Sequence, residues 1–272
     1  MTNPILSIIL VTYKSEDNII PLLDSLKESS GGYTFEVIVV DNYPLDRSAN
    51  LAKQHTLKPI VLTNKENLGF AKAVNLGIKK ASGEYILLLN PDTKPVGKAI
   101  KYLVDFALAH PEMGAVAPTL LDYSGKIQPS CSKFPTILNA VKHDFFGCKR
   151  CFNSYYPGQS ITKVEVAVMA AFLIPKGVIK KIGALDERFF LYFEDIEYCR
   201  RLRDNGYPVY FYPKPKVKHI RGASGGFTSH LKSPLLASAK TYYGSFYSAM
   251  LNTVLWIGHK WQVIIRRKKF RD

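Results

Sequence analysis

From Ile5 to Pro118 this chain alternates short, continuously apolar runs with amphipathic stretches, and that alternation constrains its fold more than any other feature. Ile5 to Val11 and Phe35 to Val40 each read as a strand buried on both faces, while Ile19, Leu22, Leu23 and Leu26 recur between them at helical spacing. Ser15 or Asp17 is placed to cap that helix, with Pro21 in its first turn. Strand, helix and strand in so short a span predict a right-handed crossover between parallel strands. The pattern repeats with helices at about Asp46 to His55, Phe70 to Ala81 and Val96 to His110, and strands at about Ile60 to Leu62, Tyr85 to Leu89 and Gly114 to Pro118. An α/β protein with a mostly parallel, doubly wound sheet follows. Its first strand runs into Thr12-Tyr13-Lys14-Ser15 rather than a glycine-rich turn, which disfavours a dinucleotide-binding domain.

Within that frame, Tyr85 to Leu89 ends on Asn90-Pro91-Asp92-Thr93. Pro91 cannot continue the ladder, so Asp92 is presented at a strand's C-terminal end, the edge where open α/β sheets bind ligands. An acid there suits a hard cation holding a phosphate-bearing substrate, and an Asx turn is the alternative. Residues 119–165, rich in Pro, Ser, aromatic and basic residues, read as an irregular excursion over the same edge, and Val166 to Ile174 as a return to order before Pro175 and a helix to Ile182. Phe189 to Phe193 then lead into Glu194-Asp195, at or just inside a helix whose Ile196, Cys199, Leu202 and Arg203 share a face. Acids in a first turn also complement the helix macrodipole. Two short strands are expected at Tyr207 to Tyr212 and Val217 to His219.

From Ser238 the chain reads as one helix that ends in Arg266-Arg267-Lys268-Lys269-Phe270-Arg271. His259 and Lys260 interrupt its apolar stretch, so it does not read as a membrane span. Its two readings are an interfacial helix with a polybasic tail and a helix packed on the domain. Lys and Arg number 37 against 22 Asp and Glu, for a formal charge of +15, so the expected partners are anionic: nucleotide phosphates, nucleic acid or an acidic membrane surface. Four cysteines are too few for a disulfide framework, and no signal-peptide pattern precedes the first strand, so a reducing cytoplasm is expected. Cys148-Lys-Arg-Cys151 with His143 upstream lacks a second ligand pair for zinc, so ordinary thiols are expected there.

Six segments in order carry a resemblance: Val11-Thr12-Tyr13, Val39-Val40-Asp41-Asn42, Asn67-Leu68-Gly69-Phe70-Ala71 with Asn75, Leu88-Leu89-Asn90-Pro91-Asp92, Phe193-Glu194-Asp195, and His219-x-x-Gly222-x-Ser224. From Ile5 to about Ser224 the chain resembles the family 2 inverting glycosyltransferases of the GT-A (nucleotide-diphospho-sugar transferase) fold, particularly their rhamnosyltransferase-like branch. The resemblance implies a GT-A domain over 1–235, with a nucleotide-sugar-binding half (1–118) and an acceptor-binding, catalytic half (119–235), followed by an amphipathic helix and polybasic tail over 236–272.

It further implies that Thr12 and Tyr13 lie beside the nucleotide base and that Asp41 accepts a hydrogen bond from it; a strand-end turn residue is the alternative for Asp41. Asn67 and Gly69 belong to the donor-binding loop, whose helix start faces the diphosphate with Lys72 adding charge. Asn90 and Asp92 stand at the family's Asp-x-Asp position, with Asp92, and His219 as a further ligand, holding Mg²⁺ or Mn²⁺. Asp195 is the base that takes the acceptor hydroxyl's proton, and Glu194 orients its surroundings. Only one of the two can be the base, since adjacent helical residues point about 100° apart. Asp186, Ala170 and Ala171 line the acceptor side.

Lys14, Tyr43 and the Val168-Met169-Ala170-Ala171 run depart from the family's pattern, the last by an added methyl group where the family has a Gly-Ala pair. The implied reaction moves a sugar, rhamnose from its dTDP donor as the leading choice, to a saccharide or lipid-linked oligosaccharide of a cell-surface polymer. A UDP-galactofuranose- or UDP-hexose-dependent transferase is the alternative within the fold. The setting is cytoplasmic, peripheral on the membrane's cytoplasmic face if 236–272 binds anionic lipid, and compatible with a homo-oligomer. A basic nucleic-acid-binding protein is the non-enzymatic alternative, and the carboxylates at the ligand edge argue against it.

Overall fold

The computed structural model describes residues 3–220 and 229–269. The chain runs β1 (Leu6–Thr12), α1 (Glu16–Ser29), β2 (Phe35–Asp41), α2 (Ser48–Gln54), β3 (Ile60–Thr63), α3 (Phe70–Lys80), β4 (Tyr85–Leu89), β5 (Thr93–Val96), α4 (Ala99–Ala109) and β6 (Ala115–Leu121). It continues through β7 (Ile127–Gln128), β8 (Cys131–Ser132), α5 (Ile137–Phe146), α6 (Lys149–Phe152), β9 (Thr162–Val164), β10 (Val166–Ala167), β11 (Ala171–Pro175) and α7 (Lys176–Ile182). Then come α8 (Glu194–Asp204), β12 (Val209–His219), α9 (Ser229–Tyr243) and α10 (Ser245–Lys269).

The main sheet has the order β3-β2-β1-β4-β11-β6-β12-β5, with β7 on β6 and β9 on β12. Neighbours from β3 to β4 are parallel, as are β6 and β12; β11 runs antiparallel to both β4 and β6. Period-two alternation divides the apolar strand residues between two cores. Ile9, Ile38, Ile86 and Leu88 face one side with Val74 and Leu202, whereas Ile8, Leu10, Val39 and Leu87 face the other with Leu22 and Leu103. Both faces are therefore dry, which is why these strands read as unbroken apolar runs. Ser7, fully buried in β1, donates to Glu36 Oε1 at 2.6 Å and accepts from Gly83 N at 2.9 Å, so its hydroxyl costs little.

Several elements differ from the sequence reading. The helix expected from Val96 begins at Ala99, because Thr93–Val96 is instead an edge strand that pairs with β12 and Gly97 turns the chain at φ 51°. The two strands expected between Tyr207 and His219 are one, β12, with an irregularity between Tyr212 and Lys216 where prolines interrupt the register. Val166 to Ile174 is broken into β10 and β11. Residues 119–165 hold regular elements, chiefly α5, which is capped by Thr136 and stopped by Gly147 in the left-handed region. Pro21 lies in the second turn of α1, and Ser15 at its N-cap bonds Tyr13 instead of a helix N–H. Cys148 and Cys151 form a disulfide rather than free thiols; Cys131 and Cys199 are buried and free.

The helix expected from Ser238 is two, broken at Gly244 with φ 77°. It packs on the domain: Leu251 is buried, Gly258 lies against Asp144 so closely that a Cβ there would come within 2.5 Å of its carboxyl carbon, and Gln262 donates to Asp144 Oδ1 at 3.1 Å. Gly222 and Ser224 of the last resemblance segment, and Phe270 and Arg271 of the basic tail, lie outside the described residues.

Asn75 links the first four strands to the later half. Its side chain exchanges two hydrogen bonds with the Leu185 backbone, at 2.8 and 3.0 Å, and a third joins Glu187 at 3.0 Å. Replacing it with the similarly sized leucine leaves a buried N–H and C=O unpaired, so Asn75→Leu is expected to lower unfolding free energy by about 2 to 4 kcal/mol in urea titrations; a loss below about 0.5 kcal/mol would refute this role.

Candidate active site

Because β1, β2 and β4 are parallel and in register, Thr12 lies beside Asp41 and Leu10 beside Leu89, and three chain segments leave the sheet along one edge. At that edge the Thr12 hydroxyl donates to Asp41 Oδ1 at 2.9 Å and Tyr43 N donates to the same oxygen at 3.3 Å. Asp41 is fully buried, its Oδ2 has no donor, and burial raises its pKa against the effect of those two bonds. A buried carboxylate oxygen without a donor is a vacancy suited to an N–H from outside the chain. Tyr13 and Tyr43 meet edge to face with centroids 5.1 Å apart, and the Lys14 ammonium lies 5.6 and 5.2 Å from their rings. The two departures noted in the sequence, Lys14 and Tyr43, thus form one aromatic and cationic group with Tyr13. Thr12 acts on this site through Asp41, since its own hydroxyl is buried and engaged.

The start of α3 differs from expectation. Gly69 adopts φ 81°, but the close approach it allows is made by the protein itself: a Cβ would lie 2.6 Å from Phe190 O, and Phe70 N donates to that carbonyl at 2.8 Å. The first N–H of α3 is therefore occupied by the 190 turn instead of being open to a diphosphate. Asn67 accepts from Gly69 N at 2.9 Å, Asn42 donates to Gly69 O at 3.1 Å and accepts from Asn64 at 2.7 Å, and Lys72 is exposed in the first helical turn. Asn75 is turned to Leu185, away from the edge.

Asp92 and His219, 127 positions apart in sequence, are brought together by antiparallel pairing of β5 with β12, in which Thr93 faces His219 and Ile220 N donates to Asp92 O at 3.0 Å. His219 Nε2 lies 3.7 Å from Asp92 Oδ1, and burial pushes the Asp92 carboxyl up to about 6. Gln128, at the end of β7, orients the imidazole by donating to His219 O at 2.8 Å while its Oε1 lies 3.1 Å from Nδ1. With the amide nitrogen committed to that carbonyl, Oε1 accepts from Nδ1–H, which leaves Nε2 on the Asp92 side. A carboxylate oxygen and an imidazole nitrogen suit Mg²⁺ or Mn²⁺ as a partial ligand set. Among the described residues no group of three or more His, Cys, Asp or Glu gathers to hold a metal alone. Asn90 is fixed through its backbone, its N–H donating to Ala170 O at 2.9 Å and its carbonyl accepting from Thr93. Sequence reasoning passed over Gln128, which stands without a motif in a stretch read as irregular.

The carboxylates of α8 follow a strained turn: Tyr192 and Phe193 both adopt φ 68°, unusual for side-chain-bearing residues. Glu194 is buried with Oε2 unpaired, and Asp195, partly buried, accepts from Ile196 N at 2.8 Å. Burial raises the pKa of both, and the Asp195 charge raises that of Glu194 further. The turn is held from outside by α9, where Ser238 donates to Leu191 O at 2.8 Å and Tyr242 and Tyr243 lie 5.5 and 5.7 Å from the Phe193 ring. Arg203, expected on the helix face with Ile196, Cys199 and Leu202, is exposed and lies over Phe134.

The acceptor-side expectation needs correction at Ala170 and Ala171. Asp186 is held by three hydrogen bonds from the Arg188 side chain and one from its backbone, which keep its carboxyl below the usual range. Ala170 and Ala171 are each 1% exposed and pack in the core, so the added methyl groups fill the interior and only the Ala170 carbonyl reaches the edge.

Comparison with known proteins adds the family. The model for glycosyl transferase family 2 matches residues 7–131. The N-acetylglucosaminyl-diphospho-decaprenol L-rhamnosyltransferase of Mycobacterium tuberculosis is 25% identical over 264 residues, covering 88% of this chain and 86% of that protein. The dTDP-rhamnosyl transferase RfbF of Shigella flexneri is 26% identical over 243 residues, covering 86% and 75%. Among solved structures, GalNAc-T7 with UDP, GalNAc and Mn²⁺ superposes with a TM-score of 0.64 at 15% identity over 87% of this chain, which spans 47% of the GalNAc-T7 chain. That likeness is one of fold. With the family match at the sheet edge and relatives that extend the likeness through β12, this chain has the GT-A fold and is similar to the family 2 glycosyltransferases, their rhamnosyltransferases among them.

Proposed function

We propose that this glycosyltransferase moves a sugar, with dTDP-rhamnose as its donor, onto a saccharide or lipid-linked oligosaccharide during cell-surface polysaccharide synthesis, inverting the anomeric centre. The observation that carries the reading is the convergence of Asp92 and His219 on the sheet edge that also holds the unpaired Asp41 oxygen. The Asp41 Oδ2 accepts the imide N–H of the pyrimidine base, and Tyr13, Tyr43 and Lys14 line its approach. Asn67, Lys72 and Asn90 border the donor phosphates. Asp92 and His219 would hold a divalent cation at this edge, which would supply charge neutralisation to the departing diphosphate.

Asp195 is the base. It takes the acceptor hydroxyl's proton as that oxygen bonds to the anomeric carbon; the bond to the diphosphate breaks on the opposite face and its electron pair leaves with the phosphate oxygen. Glu194 lies beside Asp195, and burial together with the Asp195 charge raises the Glu194 carboxyl, so the two do not ionise independently. In this division 1–118 binds donor, 119–235 supplies the base and the acceptor side, and 236–272 is the extension that follows. The cytoplasmic setting is kept in this reading on the likeness to the family, and the Cys148–Cys151 disulfide speaks against a strictly reducing one.

Asp195→Asn is expected to reduce transfer by about 10²- to 10⁴-fold while nucleotide affinity changes by less than about twofold, measured by product formation and calorimetry; near-normal turnover would sink the assignment. Since the carboxylate form accepts the proton and burial raises the pair, kcat/KM is expected to fall about tenfold per pH unit on an acid limb lying above the usual carboxylate range of about 4. Titration with UDP, dTDP and GDP, each with and without Mn²⁺, is expected to show Mn²⁺-dependent binding of the pyrimidine nucleotides. Tighter binding of UDP than dTDP would move the donor to a UDP-sugar. Gln128→Leu, which removes the amide contact to the His219 ring, is expected to weaken Mn²⁺-dependent nucleotide binding by about 10-fold or more with little change in the metal-free affinity.

A further inference from the structure

The helix α10 has two faces. Leu251, Gly258 and Gln262 turn toward α5, whereas Phe246, Met250, Ile257 and Trp261 fall within about 60° of one another at 100° per residue and are 80%, 44%, 45% and 45% exposed. A second exposed apolar edge lies on α5, where Leu138 and Phe146 are 61% and 78% exposed. The Phe145 and Trp261 rings, 6.3 Å apart, join the two helices along this side. So much contiguous apolar and aromatic surface is uncommon on a chain with nothing to cover it.

Charge selects the occupant. Residues 229–269 contain Lys and Arg but no Asp or Glu, and residues 133–163 contain a single acid, Asp144. That acid is bonded to His143 and Gln262 between the helices, so it does not offset the exposed Lys142, Lys149, Arg150 and Lys260. Lys260 lies 5.8 Å from the ring of Trp256, itself 64% exposed, the amphipathic pairing that suits a boundary between headgroups and acyl chains. A second copy would bring two faces of the same sign together, which disfavours self-association. No helix among the described residues is long and apolar enough to cross a membrane, so this pair can only lie along one.

We propose that α5 and α10 form a docking surface for an anionic lipid bilayer, α10 lying in the headgroup region with Phe246, Met250, Ile257 and Trp261 toward the acyl chains. This deepens the transferase reading by naming where a lipid-linked acceptor is met. The connection is direct, because α9 joins α10 to the turn that carries Glu194 and Asp195.

The test is flotation of the full chain with vesicles of phosphatidylglycerol and phosphatidylcholine, against phosphatidylcholine alone, with no donor or acceptor present, so that its failure is separate from any failure of transfer. The expected result is at least about tenfold stronger binding to the anionic vesicles, weakened by salt, with a blue shift of tryptophan emission. Phe246→Ser with Trp261→Ser, and separately Leu138→Ser with Phe146→Ser, are each expected to lower that binding about tenfold or more while the thermal midpoint and nucleotide affinity stay unchanged. Absence of anionic-vesicle binding, equal binding to neutral vesicles, or variants that bind as well as the parent would overturn the proposal. So would dimerisation or nucleic-acid binding through this face without vesicle binding.

Discussion

The backbone pairing of β5 with β12 is the interaction on which the edge of this molecule depends. Four residues after Asp92 form an edge strand, and their partners are the last four of β12, so the register that sets Thr93 against His219 also sets the imidazole 3.7 Å from the Asp92 carboxylate. Neither side chain has to find the other, because backbone hydrogen bonds hold both termini of the pairing. Gln128 then fixes the ring from β7, using one amide to hold both the carbonyl and Nδ1 of the same histidine. The resulting pair is held at the sheet edge by backbone pairing on one side and by Gln128 on the other.

Among the described residues three buried carboxylates are left without a full set of donors, Asp41 at Oδ2, Glu194 at Oε2 and Glu197 at Oε2, the last held on its other oxygen by Arg201. An unpaired buried oxygen costs free energy, and a fold under pressure for stability alone would replace it. Their neighbours are consistent with a functional origin: Asp41 is gripped on its other oxygen by Thr12 and Tyr43, and Glu194 follows two consecutive residues at φ 68°. Unmet hydrogen bonding falls at the end of β2, along the first turns of α8 and at Ser130, and backbone strain just before α8, whereas Ser7 inside β1 is fully paired.

Beyond the sheet, the C-terminal helices join the turn before Glu194 and Asp195 to the surface. The α9 helix holds the aromatic turn before Glu194 through Ser238, Tyr242 and Tyr243, and α10 packs on α5 with one face while leaving the adjoining face bare. Of the two readings open in the sequence, an interfacial helix with a polybasic tail and a helix packed on the domain, the packing is seen against α5, with an exposed apolar face beside it. Gly258 is what permits both, since any side chain there would collide with Asp144 and lift the helix.

The sequence by itself determined the parallel βαβ half and the order of the edge residues, because strands buried on both faces must be continuously apolar and their ends must be polar. It therefore located Thr12, Asp41, Asp92 and Glu194-Asp195 at element termini without knowledge of distance. Only the tertiary structure decided who touches whom. Gly69 looked like a ligand's approach and proved to seat Phe190; Ala170 and Ala171 looked like an acceptor wall and proved to be core; Gln128 carried no local signal at all. Each of these depends on a contact between residues far apart in the chain, Gly69 with Phe190, Ala170 with Asn90, Gln128 with His219. Local periodicity reports which face of an element is dry, and such a pattern contains no term for the register between distant strands.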